Sequence, residues 1–260
     1  MLIGLPKEIK DNESRVGLTP ESVKKLISQG HEILVETDAG FGSGFSDGDY
    51  IHLGARIVKK PKEVFDNAEL IIKVKEPQSA EVNLLKPDQL LFTYLHLAAN
   101  KNLTQGLMDS QSTCIAYETV TSSSNSLPLL APMSEVAGKI SIQAGARALE
   151  KTQHGRGVLM SGAYGAPPAD VVIIGCGVVG FNAALIAVGM KANVILIDKS
   201  EPRLSELYKY FDGKVTTVIS SKSEVEKYVS NCDLLIGGVL VPGSSAPTVS
   251  YTHLTLPTKA

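Results

Sequence analysis

The residues whose types and spacing suit chemistry are three glycines, one aspartate and three cations. Gly175, Gly177 and Gly180 form a G-x-G-x-x-G turn between an apolar run, Ala169 to Ile174, and an apolar segment that continues through Val178, Val179 and Ala184. In such a turn the first glycine permits a tight bend, the second lets the backbone approach a pyrophosphate, and the third lets a helix pack closely on the strand. The helix that follows presents N–H groups and a positive dipole end to phosphates. A second apolar run, Ala192 to Ile197, ends in Asp198, which lies 18 residues after Gly180 and 23 after Gly175. That is near the spacing at which a carboxylate accepts the ribose hydroxyls of NAD. Strand, turn, helix, strand and terminal acid together point to dinucleotide binding. A glycine-rich turn in a parallel sheet that binds nothing is the alternative. Asp198 favours NAD over NADP, while Arg203 leaves a 2′-phosphate open.

The cations are Arg15, Lys75 and His96. Arg15 lies in the loop after a first strand read at Leu2 to Leu5. Lys75 directly follows a strand read at Leu70 to Val74, and His96 one read at Leu90 to Leu95. In an open parallel sheet, ligands sit beyond the carboxyl ends of the strands. If these strands are parallel neighbours, a guanidinium, an ammonium and an imidazole converge on one edge. That set suits a small 2-oxo acid. Arginine holds a carboxylate bidentately, lysine adds a compact charge, and an imidazole passes a proton to or from the carbon's oxygen or nitrogen. Singly, each has a plainer reading, as a solvated strand-end charge or a structural histidine.

The elements that must position these residues are legible as an alternation of β and α segments. Thr19-Pro20-Glu21 reads as a helix start, with Thr19 capping and Pro20 in the first helical position. That helix carries Val23, Leu26 and Ile27 and stops at Gly30. Strands follow at Ile33 to Val35 and Thr113 to Tyr117, and a glycine-rich loop at Gly40 to Gly44 precedes a short helix near Asp47 to Leu53. Around Thr121 to Pro132 the composition turns to Ser, Asn and Pro, which reads as a domain boundary. Ser134 then reads as the cap of a helix from Glu135 to Glu150 with Val136, Ile140 and Ala144 on one face. Beyond Asp198 the alternation continues to a strand at Asp233 to Gly237. The expected fold class is α/β, with two Rossmann-like parallel-sheet domains separated by a cleft. The expected divisions are a substrate domain over 1–130, an NAD-binding domain over 131–248, and a tail over 249–260. The tail has no helical period and only weak strand alternation, so it reads as the non-native end of a chain that stops short.

Composition narrows the function classes. A formal net charge of -2 without a basic patch argues against nucleic acid as partner. The sequence shows no charged-then-apolar leader and no apolar run of membrane-spanning length, so no membrane partner is expected. The three cysteines, Cys114, Cys176 and Cys232, fit neither a zinc spacing nor a disulfide framework. No metal site is expected, and a reducing cytoplasm is the simplest compartment.

These motifs bring a family with them. Ile3-Gly4-Leu5-Pro6-Lys7-Glu8 with Asn12-Glu13-Ser14-Arg15-Val16 resembles the opening of alanine dehydrogenases. Lys73 to Pro77, Tyr94 to Ala98, Ala131 to Gly138 and the glycine turn continue the likeness in order to about residue 247. The resemblance implies reversible oxidative deamination of L-alanine to pyruvate and ammonia with NAD, in a two-domain protein that assembles as a homo-hexamer. It implies that Arg15 and Lys75 hold the substrate and His96 is the acid/base residue. It further implies cofactor contacts from Ser134, Gly175, Gly177, Val178, Val179, Gly180, Asp198, Arg203, Ser220, Val239 and Leu240. The family has a second catalytic residue, an aspartate, together with nicotinamide-side contacts and returning helices that complete the first domain. All of these fall beyond the point where this chain ends, so the chain alone is expected to be inactive. The runner-up resemblance is the NAD-binding part of a proton-pumping transhydrogenase, which has little use for Lys75 and His96. Dehydrogenases that form saccharopine or carboxyethyl-amino acids would take a larger substrate. A non-catalytic NAD-sensing module is the third class.

Overall fold

A computed structural model describes residues 1–239. The chain divides after Leu129 into two compact units, each described by itself.

In the first unit, β1 (Leu2–Leu5), β2 (Glu32–Glu36), β3 (Arg56–Val58), β4 (Leu70–Ile72), β5 (Leu90–Thr93) and β6 (Thr113–Ala116) form one sheet. All its pairings are parallel, in the order β3-β2-β1-β4-β5-β6. The connections carry α1 (Pro20–Ser28), α2 (Asp47–Ile51), α3 (Pro61–Asn67), α4 (Ser79–Val82) and α5 (Lys101–Asp109). The sheet has an apolar cluster on each face. One is built on Ile3, Leu5, Val35 and Tyr50, the other on Val64, Phe65, Ile71 and Leu91. A doubly covered parallel sheet needs apolar residues on both faces, which is why its inner strands read as continuous apolar runs. The strand order reverses between β1 and β4, and ligands of such sheets bind at that reversal.

The second unit opens with α6 (Ala131–Ala148) and then alternates β7 (Asp170–Ile174), α7 (Val178–Gly189), β8 (Asn193–Asp198), α8 (Glu201–Tyr210), β9 (Val215–Ile219), α9 (Lys222–Val229) and β10 (Leu234–Gly237). The strands are parallel in the order β10-β7-β8-β9, with the reversal between β7 and β10.

Several local readings are corrected. The run Leu70 to Val74 keeps ladder geometry only to Ile72, and Leu90 to Leu95 only to Thr93. Strand β3 and helix α3 lie in a stretch whose charges mask its short apolar run. Helix α6 starts at Ala131, with Leu130 as its N-cap residue, so Ser134 lies inside the first turns and caps nothing. Pro132 sits in that first turn, where the missing N–H costs nothing. The face assignment of α6 also changes. Val136 and Ile140 are half exposed, and the buried residues are Gly138, Ile142 and Gly145. Glycine lets α6 lie close to α7, since a Cβ at Gly138 would come within 2.3 Å of the Val179 carbonyl oxygen. The tail over 249–260 and Leu240 lie outside the described residues. No described helix is long and apolar enough to cross a membrane.

Candidate functional site

In the first unit the predicted cations stand beyond the carboxyl ends of three adjacent strands: Arg15 after β1, Lys75 after β4 and His96 after β5. The Arg15 guanidinium is gripped by Glu13, with Nε donating to Oε1 at 2.9 Å and Nη2 to Oε2 at 2.6 Å. The Arg15 main-chain N–H donates to the same carboxylate at 2.9 Å. Hydrogen bonding from Arg15 holds the Glu13 carboxyl at about 2, against burial, and Lys75 adds to that pull. Glu13 in turn raises the Arg15 guanidinium. The loop bearing Arg15 is buttressed from below. A Cβ at Gly42 would come within 2.6 Å of the Ser14 carbonyl oxygen, and Ser43 Oγ donates to that oxygen at 3.0 Å. That contact accounts for a glycine in the loop Gly40 to Gly44.

Lys75 is fixed through its backbone. Glu8 Oε1 accepts the N–H of Val74 at 2.6 Å and of Lys75 at 3.4 Å. Glu8 Oε2 accepts from Lys73 Nζ at 3.0 Å, and Lys73 donates to Glu81 Oε1 at 2.7 Å. This triad is buried, with Lys73 1% exposed and each carboxylate 4%. Burial raises the Glu81 carboxyl even with Lys73 beside it. Glu76 pairs with Lys10. Burial alone would raise Glu76, but the Lys10 hydrogen bond, a backbone hydrogen bond and the charges of Lys10 and His96 bring it below its ordinary value.

His96 is exposed and has left-handed backbone, φ 51° and ψ 39°. The Tyr94 ring lies parallel to its imidazole, with centroids 6.2 Å apart and 14° between planes. The Tyr94 hydroxyl donates to the Leu129 carbonyl oxygen, and burial raises its proton affinity while Arg15 lowers it. Glu118, in the turn after β6, accepts the main-chain N–H groups of Leu95 at 3.0 Å and His96 at 2.7 Å. Electrostatic reach therefore links Arg15 to Tyr94, Lys75 to Glu13 and His96 to Glu76, and the three predicted cations belong to one cluster. Glu8, Glu13, Lys73, Glu76, Tyr94 and Glu118 were not singled out from the sequence. Lys73 carried a signal: a lysine in the apolar stretch Leu70 to Val74 needs a buried partner.

In the second unit the glycine turn joins β7 to α7. Gly175 has φ +90°, and its Cβ position lies within 2.9 Å of Val239 Cγ2. A Cβ at Gly180 would stand 1.9 Å from the Gly175 carbonyl oxygen, so only glycine fits there. A Cβ at Gly177 would meet nothing within 4 Å. Gly177 and Val178 are exposed, Val179 is half-buried, and α7 begins without a capping side chain. The strand and helix are thus tightly joined, and the backbone at Gly177 is open to an approaching group. Asp198 ends β8, where Oδ2 accepts the Cys176 N–H at 2.6 Å and Oδ1 the Ser200 N–H at 2.9 Å. Ser220 follows β9, its N–H donating to the Asp198 carbonyl oxygen at 2.8 Å. Arg203 Nε donates to the Cys176 carbonyl oxygen at 2.9 Å, and its Nη1 pairs with Glu206 at 2.8 Å. Arg203 is therefore tied to the glycine turn. Ser134 lies one helical turn before Gly138, which packs on Val179. Burial pushes the Cys176 thiol up to about 12, so it stays protonated and serves packing. The turn, Asp198, Ser220 and Val239 occupy the carboxyl edge of one sheet, and the open backbone at Gly177 with an uncapped helix start fits a dinucleotide pyrophosphate.

Comparison with known proteins bears on both units. The family described as Alanine dehydrogenase/PNT, N-terminal domain, matches residues 4–137, and the corresponding C-terminal domain matches 141–254. An alanine dehydrogenase of Halomonas elongata is 53% identical over 247 residues, 95% of this chain and 67% of its own length. That of Methanococcus maripaludis is also 53% identical, over 95% of this chain and 66% of its own. That of Mycobacterium tuberculosis is 50% identical over 98% of this chain and 68% of its own. The chain thus spans about two thirds of the length of these curated relatives. A solved L-alanine dehydrogenase superposes with a TM-score of 0.89 at 51% identity, covering 98% of this chain and 70% of that one. A transhydrogenase from Sinorhizobium meliloti shares the fold, with a TM-score of 0.80 at 22% identity over 98% of this chain and 74% of that one.

Proposed function

The chain belongs to the alanine dehydrogenase/PNT family, and on that premise we propose that its protein carries out the NAD-dependent, reversible oxidative deamination of L-alanine to pyruvate and ammonia. The observation that carries this reading is the cluster of Arg15, Lys75 and His96 beyond adjacent parallel strands, in a chain about half identical to alanine dehydrogenases. A domain that only docks a nicotinamide nucleotide has no need of such a cluster. Arg15, its orientation set by Glu13, and Lys75 hold the substrate carboxylate and carbonyl. His96 takes or returns the proton at the oxygen or nitrogen of the reacting carbon. The His96 imidazole stacks on buried Tyr94, whose ring packs edge-on against half-buried Tyr117, and this low-polarity wall strengthens the charge–charge contacts beside it.

On the cofactor side, Gly175, Gly177, Val178, Val179 and Gly180 would cradle the pyrophosphate and Asp198 the adenosine ribose. Ser134, Arg203, Ser220, Val239 and Leu240 would line the remainder. NAD, when bound, supplies the hydride acceptor. The reading divides the chain into a substrate domain over 1–130 and a cofactor domain over 131–248. It also places the protein in the cytoplasm, as a hexamer serving amino-acid catabolism; light scattering of the protein expressed from its natural gene tests the hexamer. The activity test is NADH oxidation by that same protein with ammonium and a panel of 2-oxo acids. Pyruvate is expected to be preferred. NADH binding with no turnover of any 2-oxo acid would favour a non-catalytic nucleotide-binding protein.

A further inference from the structure

His96 holds a conformation that L residues rarely adopt, and such backbone persists only where its surroundings over-determine it. Two and three residues past the end of β5, the main-chain N–H groups of Leu95 and His96 have left the sheet ladder. Glu118 supplies the acceptors in its place. Oε1 takes the Leu95 N–H at 3.0 Å and the His96 N–H at 2.7 Å, and Oε2 takes the Leu95 N–H again at 3.3 Å. Glu118 is held in a single helical turn, Tyr117–Thr119, directly after β6, the neighbour of β5. Thr119 Oγ1 closes that turn by donating to the Ala116 carbonyl oxygen at 3.1 Å. A carboxylate gripping consecutive main-chain N–H groups recurs at the adjacent strand end, where Glu8 holds Val74 and Lys75.

We propose that Glu118 is a positioning residue for the reaction: its carboxylate fixes the left-handed backbone of His96 and so aims the imidazole. The proposal rests on the reading of His96 as the acid/base residue. Glu118 touches no reacting atom in this scheme. An anionic acceptor suits the role because hydrogen bonds to a charged group are shorter and stronger than those to a neutral one.

The test uses the protein expressed from its natural gene. In Glu118→Gln one acceptor oxygen remains and the charge is lost. Its kcat for NADH oxidation with pyruvate and ammonium is expected to fall about tenfold, with pyruvate KM and NADH affinity changed less than about twofold. Glu118→Ala should lose about a hundredfold. In a His96→Ala background either substitution should add almost nothing, because the residue it aims is gone. A merely structural Glu118 would instead give a further loss equal to that in the unsubstituted protein, and that result overturns the proposal. A second readout needs no turnover. In amide proton spectra of the present chain, the His96 N–H is expected downfield and slow to exchange, and in Glu118→Gln it should move upfield and exchange faster. An unchanged His96 amide overturns the proposal even where rates fall. If the unsubstituted protein oxidises no NADH with pyruvate, the functional reading falls, and the amide measurement still decides the positioning role. Should Glu118→Ala fail to fold, Glu118→Gln carries the comparison.

Discussion

Replacing Lys73 with methionine is the sharpest perturbation of the framework behind the cluster. The Lys73 side chain is 1% exposed and is the cation between Glu8 and Glu81, at 3.0 and 2.7 Å. Methionine fills similar volume but strands two carboxylates that are each 4% exposed. Removing one partner from a buried ion pair costs about 3–5 kcal/mol, because the remaining charge is uncompensated. Protonation of Glu81 offsets part of that cost, since burial already favours its protonated form. The sign follows by linkage. The folded variant binds a proton that the unfolded chain releases above its ordinary carboxyl value of 4.5. Stability therefore falls as pH rises from there, by up to ~1.4 kcal/mol per pH unit, until the raised folded value is passed. The chain has no tryptophan and two units, so a global fluorescence melt is a poor probe. Hydrogen exchange of peptides spanning β4 and β5, corrected with reference peptides at each pH, isolates the opening of the first unit. The expected loss is larger at pH 8 than at pH 5 and is partly recovered by adding Glu81→Gln. A loss below about 1 kcal/mol at neutral pH, or one independent of pH, would refute the reasoning.

Three further outcomes are expected. Gly177→Ala should leave folding and exchange protection unchanged, because its Cβ meets nothing within 4 Å, while NADH affinity measured by calorimetry falls at least about tenfold. Gly180→Ala should lower both stability and NADH affinity, since its Cβ would stand 1.9 Å from the Gly175 carbonyl oxygen; a variant as stable as the unsubstituted chain contradicts that packing. Glu13 should titrate at about 2 in carbon-detected spectra. Its lowered value contributes stability above the ordinary 4.5 that is lost as pH falls through about 2, and Arg15→Lys should move the midpoint upward, because lysine cannot reproduce the bidentate grip.

What could be read in the chain was what is local. The glycine turn, Asp198 and the cap at Thr19 depend on spacings within one or two elements, and the cap forms as expected, Thr19 Oγ1 accepting the Ser22 N–H at 3.3 Å. Arg15, Lys75 and His96 were legible because each follows an apolar run, and the order β1-β4-β5 then makes them neighbours. Their supports were not legible. Glu8 and Lys73 are 65 residues apart, and Glu118 lies 22 residues from His96. Only the sheet order brings such pairs together, and a loop glutamate ordinarily reads as solvated charge. The buried face of α6 was misread because hydrophobicity pointed to Val136 and Ile140. Close approach to α7 instead selected Gly138, and close approach to Leu234 of β10 selected Gly145, residues with little apolar surface to advertise their burial.

The most direct measurement sets His96→Ala and Lys75→Ala beside the unsubstituted protein, each expressed from its natural gene. Initial rates of NADH oxidation with pyruvate and ammonium are recorded, and NADH affinity is measured on the same samples. If the strand-end cations perform the chemistry, both substitutions lower turnover by about a hundredfold or more and leave NADH affinity within about twofold, because on this reading the nucleotide is bound by the residues of 131–248. Undiminished turnover in either variant, or loss of NADH binding in step with loss of rate, would contradict that assignment.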